Sequence, residues 1–213
     1  MAMHEGSNQP TPLVRDGVMF LTHAHNKIQA IEAASGELIW EYQYEFPRPP
    51  RCSAGPPQYR AVAGPSFLAT YDAAIVAIDA QSGVELWRTE KADYREAFTP
   101  ARDPFGQRIV VSGINGCELF TQDGCFITGH EPETGEELWR TATLAEPGTP
   151  EYASWGNVAP DRRGGGDIWI AGSYDPERDL VYFGTSNPTP WAAAWAGACG
   201  FEDAALYTNA NSP

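Results

Sequence analysis

The stretch of the chain most specific for chemistry is residues 162–191, RRGGGDIWIAGSYDPERDLVYFGTSNPTPW. Three consecutive glycines, Gly164 to Gly166, remove side chains from a place where a planar group could approach the backbone. Trp169 would then offer an aromatic surface for stacking. The alternative is a glycine loop that leads into an ordinary core strand, and an isolated glycine triplet favours that alternative.

Two further polar residues stand out near apolar surroundings. Asn187 precedes Pro188, which restricts Asn187 to extended backbone in a rigid turn and leaves its carbonyl free to face a ligand or a hard cation. Glu118 lies among apolar and cysteine neighbours in GINGCELF, so it is harder to interpret as an ordinary loop residue. The fold that positions these side chains is indicated by a repeated pattern along the chain.

Three stretches of the chain repeat one another, and each ends on a tryptophan. AIEAASGELIW closes at Trp40, AIDAQSGVELWR contains Trp87 and GHEPETGEELWR contains Trp139, at intervals of 47 and 52 residues. Blades of β-propellers repeat at about 40–50 residues. Each copy has an apolar strand, a polar turn ending in Ser/Thr-Gly, and a second strand that carries the tryptophan. We therefore predict an all-β partial propeller of four-stranded antiparallel blades, in which each tryptophan packs on the neighbouring blade.

The repeats divide the chain into four approximate blades. Their predicted bounds are residues 10–45, 58–90, 97–142 and 164–213 in a single domain. In the fourth unit, Ile168 to Ser173 and Leu180 to Gly184 resemble strands, but no fourth tryptophan closure follows. We expect either a fragment of a larger ring or completion of the ring by partner copies.

Composition excludes several classes of partner. The chain has 14 Lys+Arg against 28 Asp+Glu, a formal net charge of −14, which disfavours nucleic acid and anionic membrane surfaces. Its 21 Gly and 18 Pro suit many short strands joined by tight turns. We find no apolar run of about 18–20 residues that would cross a bilayer, and no signal peptide opens the chain.

The cysteines and histidines carry weaker signals. Cys52, Cys117, Cys125 and Cys199 form no CxxC pattern, which disfavours zinc and covalent haem. A bridge between Cys117 and Cys125 would close a small loop in an oxidising compartment, although separate thiols are the favoured interpretation. His130 precedes a turn and is expected at the surface.

Taken together, these motifs resemble the quinoprotein alcohol dehydrogenases. The similarity covers PLVRDGVMFLT, YRAVA, the three Ser/Thr-Gly…Trp turns, SGINGCELFTQDGCFITGHEPETGEELWR and the GGG…W…YDPERDLVYFGTSNPTPW signature. The resemblance implies the N-terminal part of a periplasmic eight-bladed propeller that uses pyrroloquinoline quinone (PQQ) with Ca²⁺ or a lanthanide. It implies oxidation of a small alcohol, with electrons passing to a cytochrome c or a membrane quinone.

The resemblance also implies roles for individual residues. Expected cofactor-binding residues are Arg60, Thr99, Gly116, Cys117 and Trp169, and expected metal ligands are Glu118 and Asn187. Trp169 would be the floor beneath the planar quinone, and Arg60 would pair with its reducible edge. Thr99 would donate to a cofactor carboxylate. A carboxylate and an amide oxygen suit a hard cation.

The chain departs from the family pattern in two ways. Relatives commonly have a disulfide between adjacent cysteines before the YRAVA-like segment, whereas here the sequence is Cys52-Ser53. Asp167 stands where methanol-oxidising relatives tend to have a neutral hydroxyl residue. The general-base aspartate of the family is expected beyond Pro213, so no catalytic residue is assigned.

Three function classes follow from these observations. The first is part of a PQQ-dependent dehydrogenase that oxidises primary or related alcohols to aldehydes, with the chain inactive alone. The second is a cofactor-free propeller scaffold of envelope protein assembly, which would explain the repeats but not GGGDIW, Glu118 and SNPTPW together. The third is a PQQ-dependent polymer or sugar dehydrogenase.

Overall fold

A computed structural model describes most of the chain between residues 12 and 189. The described residues are 12–23, 26–45, 58–61, 65–70, 72–92, 102–105, 109–113, 117, 125–168, 172–189 and 211–212, with the backbone alone for 58–61, 65, 102–105 and 211–212. Short strands dominate these residues, and two 3₁₀ helices lie at Pro150–Trp155 and Pro160–Arg162. Within the described part, no helix is long and apolar enough to span a membrane.

Three four-stranded antiparallel sheets follow one another along the chain, each with its strands in sequence order. The first contains β1 (Leu13–Arg15), β2 (Val18–His23), β3 (Lys27–Glu32) and β4 (Leu38–Gln43). The second contains β5 (Gln58–Ala61), β6 (Pro65–Ala69), β7 (Ala74–Asp79) and β8 (Glu85–Glu90). The third contains β9 (Arg102–Phe105), β10 (Ile109–Ser112), β11 (Phe126–His130) and β12 (Glu137–Ala142).

A fourth unit follows the 3₁₀ helices. It contains β13 (Gly164–Gly165), β14 (Ser173–Asp175), β15 (Leu180–Gly184), β16 (Pro188–Thr189) and β17 (Asn211–Ser212). Strands β14, β15 and β17 form one sheet, and β13 pairs with β16 in a separate ribbon. The strand predicted from Ile168 starts later than expected, at Ser173, and residues 169–171 lie outside the described part.

The last hairpin of each complete sheet has the same construction. An acidic residue at or just after the end of the third strand accepts backbone N–H groups of the turn that follows it. In the second sheet, the Asp79 carboxylate accepts the N–H groups of Gln81 and Ser82 at 3.2 and 2.7 Å. Gly83 closes this turn with a φ of +74°, which glycine adopts readily because it has no Cβ. The repeated sequence therefore folds into a repeated local structure.

The tryptophans connect each sheet to the next, as predicted. The Trp40 indole N–H donates to the Ala80 carbonyl at 3.0 Å, and the Trp87 indole N–H donates to the Pro132 carbonyl at 2.9 Å. Both acceptors belong to the turn of the following sheet. Trp139 packs on a cluster that includes Val111, Ile168 and Phe183, and so joins the third sheet to the fourth unit. This arrangement confirms an all-β partial propeller with tryptophan-docked blades.

Burial follows the position of a strand within its sheet. In β7, Ala74 through Ile78 are buried on both faces, whereas β8 alternates between half-buried and exposed residues. The outer strands β4, β8 and β12 and their turns carry most of the exposed large apolar residues, such as Ile39, Leu86 and Leu138. The core thus lies between the sheets and along their inner strands.

His130 is not the surface residue that its place beside a turn predicts. It is fully buried, with Nδ1–H donating to the Gly135 carbonyl at 3.1 Å and Nε2 lying 2.9 Å from Thr128 Oγ1. It occupies the position of the apolar Ile31 and Ile78 in the other two repeats. Burial lowers the pKa of the imidazole to about 4, so it is neutral at pH 7.

Candidate functional site

The glycine triplet packs against the protein's own backbone. Strand β13 pairs with β16, so that Gly165 lies opposite Pro188. A Cβ on Gly165 would collide with the Asn187 carbonyl oxygen, and a Cβ on Gly166 would lie 2.6 Å from the Thr143 carbonyl oxygen. Of the two interpretations of the triplet, the structure supports the glycine loop. Its glycines permit a close approach of chain segments, and one of those segments carries Asn187.

Asp167 follows the triplet and makes contacts in two directions. Its side chain is almost fully buried, and Oδ1 accepts the N–H of Cys117 at 3.1 Å. Its own N–H donates to Ser186 Oγ at 3.0 Å, and its carbonyl accepts the Ser186 N–H at 2.9 Å. Cys117 immediately precedes Glu118, and Ser186 immediately precedes Asn187. One residue therefore holds both segments that lead into the predicted metal ligands.

Cys117 and Cys125 form a disulfide, with their Cα atoms 5.0 Å apart. The interpretation that favoured separate thiols is wrong. Both residues are buried, and the Cys125 carbonyl accepts the Thr143 N–H at 2.8 Å. Thr143 in turn packs against Gly166, beside Asp167. Cys117 is thus anchored by its side chain to the start of β11 and by its backbone to Asp167.

Asn187 lies exposed between β15 and β16. Its side-chain Nδ2 donates to the Pro188 carbonyl at 3.2 Å. The other side-chain atom of the amide, Oδ1, is an oxygen of the kind that hard cations bind. The chemistry of the amide group thus fits the predicted metal site, as does that of the Glu118 carboxylate.

The described residues include only part of the predicted site. Arg60 lies in β5, where its backbone pairs with Phe67 of β6, and β5 runs beside β9 of the next sheet. Thr99, Gly116, Glu118 and Trp169 lie outside the described residues, and their roles stay predictions. Among the residues that are described, no group of three or more His, Cys, Asp or Glu could hold a metal ion.

The structure adds Lys91, which sequence reasoning missed. Its ammonium group is buried and donates to the carbonyls of Ser112 and Gly113 at 2.9 and 2.7 Å. Burial, with a further contribution from the Arg140 charge, lowers the pKa of Lys91 well below its usual value. These bonds fix the backbone just ahead of the Cys117 segment. Lys91 follows an outer strand with alternating exposure, so nothing in its local sequence signals burial.

The packing of Gly113 reinforces the same connection. A Cβ on Gly113 would collide with the side chain of Ile168, the residue after Asp167. Ile168 is buried with Val111 and Phe183 in the cluster that joins the third sheet to the fourth unit. The segments around residues 113–117, 167–168 and 183–187 therefore form one continuously packed region, which holds the backbone on either side of the candidate site.

The chain matches a known family along nearly its whole length. The model of the PQQ_2 family, described as "Outer membrane protein assembly factor BamB", matches residues 2–196. Despite that description, the chain resembles BamB itself only in fold. The structure of BamB from Moraxella catarrhalis is 16% identical to this chain, with a TM-score of 0.52, and the match covers 85% of this chain and 44% of that one.

Similarity to alcohol dehydrogenases is greater. The 1-butanol dehydrogenase (quinone) of Thauera butanivorans is 32% identical over 84% of this chain and 33% of its own length. The structure of quinohemoprotein alcohol dehydrogenase ADHIIG from Pseudomonas putida HK5 superposes with a TM-score of 0.75 at 26% identity, over 100% of this chain and 34% of that chain. The chain spans about one third of the length of these relatives. It is similar in sequence to quinoprotein alcohol dehydrogenases, and it belongs to the PQQ_2 family of β-propeller proteins.

Proposed function

We propose that this chain is part of a PQQ-dependent dehydrogenase that oxidises primary or related alcohols to aldehydes and passes electrons to a cytochrome c or a membrane quinone. The observation that carries the proposal is the set of Asp167 contacts, which connect the residue before Glu118 to the residue before Asn187. Such a connection would keep two ligands on separate segments within reach of one cation. Similarity to quinoprotein alcohol dehydrogenases supports the same function.

In this proposal, Glu118 and Asn187 hold Ca²⁺ or a lanthanide. The carboxylate supplies negative charge and the amide supplies a neutral oxygen, and both are hard donors that such cations prefer. PQQ, when bound, supplies the two-electron acceptor for alcohol oxidation. The proton acceptor for the alcohol is an aspartate that we place outside this chain, by the family resemblance.

The cofactor contacts of the proposal use Arg60, Thr99, Gly116, Cys117 and Trp169. In the structure, the Cys117 N–H is donated to Asp167, so Cys117 would contact a cofactor through its disulfide sulfur or its carbonyl. Trp169 would stack on one face of the quinone, and the Arg60 guanidinium would pair with its electronegative edge.

The Cys117–Cys125 disulfide supports a periplasmic location for the protein. Structural disulfides form and persist in oxidising compartments, which in bacteria means outside the cytoplasm. We propose that the mature protein works there, where soluble cytochromes and membrane quinones are both accessible.

The test is reconstitution of the full-length apoprotein with PQQ and Ca²⁺, followed by absorbance and dye-linked oxidation of alcohols and sugars. Trp169→Ala should lose about 1–3 kcal/mol of stacking, or roughly tenfold or more in PQQ affinity. Trp87→Ala is the matched control, because it removes a tryptophan that docks on the next sheet and should lower stability alone.

Two outcomes would redirect the proposal. If correctly folded protein binds no PQQ in the presence of Ca²⁺, the scaffold function that the family model describes replaces the enzyme. If PQQ binds but sugars or polymers are oxidised in preference to alcohols, the cofactor assignment holds and the substrate class changes.

A further inference from the structure

We propose that Asp167 is a positioning residue that sets the separation of Glu118 and Asn187, and thereby the affinity of the protein for its cation. This inference rests on the proposed function, since it takes Glu118 and Asn187 as ligands of one metal ion. It assigns a role to the acid that stands where methanol-oxidising relatives tend to have a neutral hydroxyl residue.

The geometry of Asp167 is suited to this role. Its carboxylate holds the backbone one residue before Glu118, across 50 positions of sequence, through a hydrogen bond of 3.1 Å. Its main chain holds Ser186, one residue before Asn187, through bonds of 3.0 and 2.9 Å. A displacement of either segment would therefore be transmitted to the other through a single residue.

Burial makes these contacts restrictive. Asp167 is 1% exposed, so water cannot replace the Cys117 N–H as the partner of Oδ1 without opening the packed region. A hydrogen bond from a backbone N–H to a buried carboxylate is stronger than one between neutral groups.

Two other contacts hold the Cys117 segment in place independently of Asp167. The disulfide ties the Cys117 side chain to Cys125, and Lys91 ties the backbone at Ser112 and Gly113. Among the described residues, Asp167 is hydrogen-bonded to both this anchored segment and the Asn187 segment. Its removal should leave the loop closed but free to shift relative to Asn187.

The experiment is a calorimetric titration of Ca²⁺ into the PQQ-containing full-length protein. Asp167→Ala should weaken Ca²⁺ binding about tenfold or more, the range seen when residues that hold metal ligands are removed. Asp167→Asn keeps an oxygen acceptor for the Cys117 N–H and should recover most of the affinity. Ser186→Ala removes the acceptor of the Asp167 N–H and should weaken binding about two- to fivefold.

Asp72 supplies the matched control. Its buried carboxylate, between β6 and β7, accepts the hydroxyls of Thr70 and of Tyr44, which follows β4 of the first sheet. Asp72→Ala should lower the melting temperature and leave the Ca²⁺ dissociation constant unchanged. A loss of Ca²⁺ affinity in this variant would mean that instability alone weakens binding, and it would overturn the positioning role.

The remaining outcomes separate this inference from the proposed function. If Glu118→Gln and Asn187→Ala leave Ca²⁺ binding unchanged, the metal site itself is wrong. If those variants weaken binding but folded Asp167→Ala or Ser186→Ala does not, only the positioning role fails. If Asp167→Asn is as weak as Asp167→Ala, the charge of Asp167 acts on the cation directly and the positioning role is again overturned. Should Asp167→Ala not fold, Ser186→Ala and Asp167→Asn decide the question.

Discussion

Two aspartates of this protein hold backbone N–H groups, and they do so over very different distances along the chain. Asp79 accepts N–H groups two and three residues ahead, in an exposed turn. Asp167 is buried and accepts the N–H of Cys117, 50 residues earlier. The first arrangement recurs in each repeat and builds the sheet, whereas the second joins two sheet units at the candidate site. The difference shows that the repeats supply the scaffold and that single long-range contacts shape the site.

The largest expected effect comes from breaking the disulfide beside Asp167. Replacing Cys117 and Cys125 together by alanine should destabilise the protein by roughly 2–3 kcal/mol, because the open chain gains entropy in the unfolded state. Denaturant unfolding of the full-length protein, with and without a reducing agent, measures this loss. If reduction of the native protein leaves the denaturant midpoint of unfolding unchanged, the disulfide does not stabilise the folded protein.

The second prediction compares the two aspartates directly. Asp167→Ala should cost about 1.5–3 kcal/mol, because it leaves the buried Cys117 N–H without its charged partner. Asp79→Ala should cost less than about 1 kcal/mol, since water can reach the exposed turn. Thermal or denaturant unfolding of the two variants and the wild type measures both losses of stability. Equal losses in the two variants would remove the distinction between local and long-range contacts.

The sequence predicts the local half of this comparison well. The tryptophan turns and the strands that flank them are encoded by nearby residues, and the structure confirms them. The prediction that His130 lies at the surface is wrong. This polar residue beside a turn is buried because Gly135 and Thr128 provide hydrogen-bond partners for its ring. The disulfide joins cysteines only 8 residues apart, and the sequence offered it as an alternative without deciding for it. The contacts of Asp167 and Lys91 join residues 50 and 21–22 positions apart, so no local pattern could reveal them.

The third prediction tests whether the tryptophan of one repeat docks tightly on the turn of the next. Gly83 and Gly36 occupy the same turn position, with φ of +74° and +77°, but a Cβ on Gly83 would lie 2.7 Å from the Trp40 ring, whereas a Cβ on Gly36 meets nothing within 4 Å. Both alanine variants should incur the strain of positive φ. Gly83→Ala should cost about 1–3 kcal/mol more, because the docked indole must move. Similar losses in both variants would show that the tryptophan does not dock tightly.

The last prediction is a pH dependence of stability that comes from His130. Its pKa is about 4 in the folded protein, below its usual 6.5, because burial disfavours the charged form. Between these two pH values, His130 is protonated in the unfolded chain but not in the folded protein. The free energy of unfolding should therefore fall by about 1–3 kcal/mol as the pH drops from about 6.5 to about 4.

The other titratable groups that act on His130 are Lys91, Glu137 and Arg140. The control is His130→Ile, which installs the residue of the equivalent positions Ile31 and Ile78 and removes only the imidazole. Unfolding curves for the two proteins at several pH values isolate the contribution of His130. Parallel pH profiles would contradict its burial in the neutral form.

The central claim is that the segments joined by Asp167 carry two ligands of one cation, and a double-mutant cycle tests it most directly. The measurement is the Ca²⁺ dissociation constant of the PQQ-containing full-length protein as wild type, Glu118→Gln, Asn187→Ala and the double variant. If both residues bind the same ion, each single change weakens binding and the double variant loses clearly less than the sum of the two. Independent, additive losses, or no loss at all, would contradict the claim.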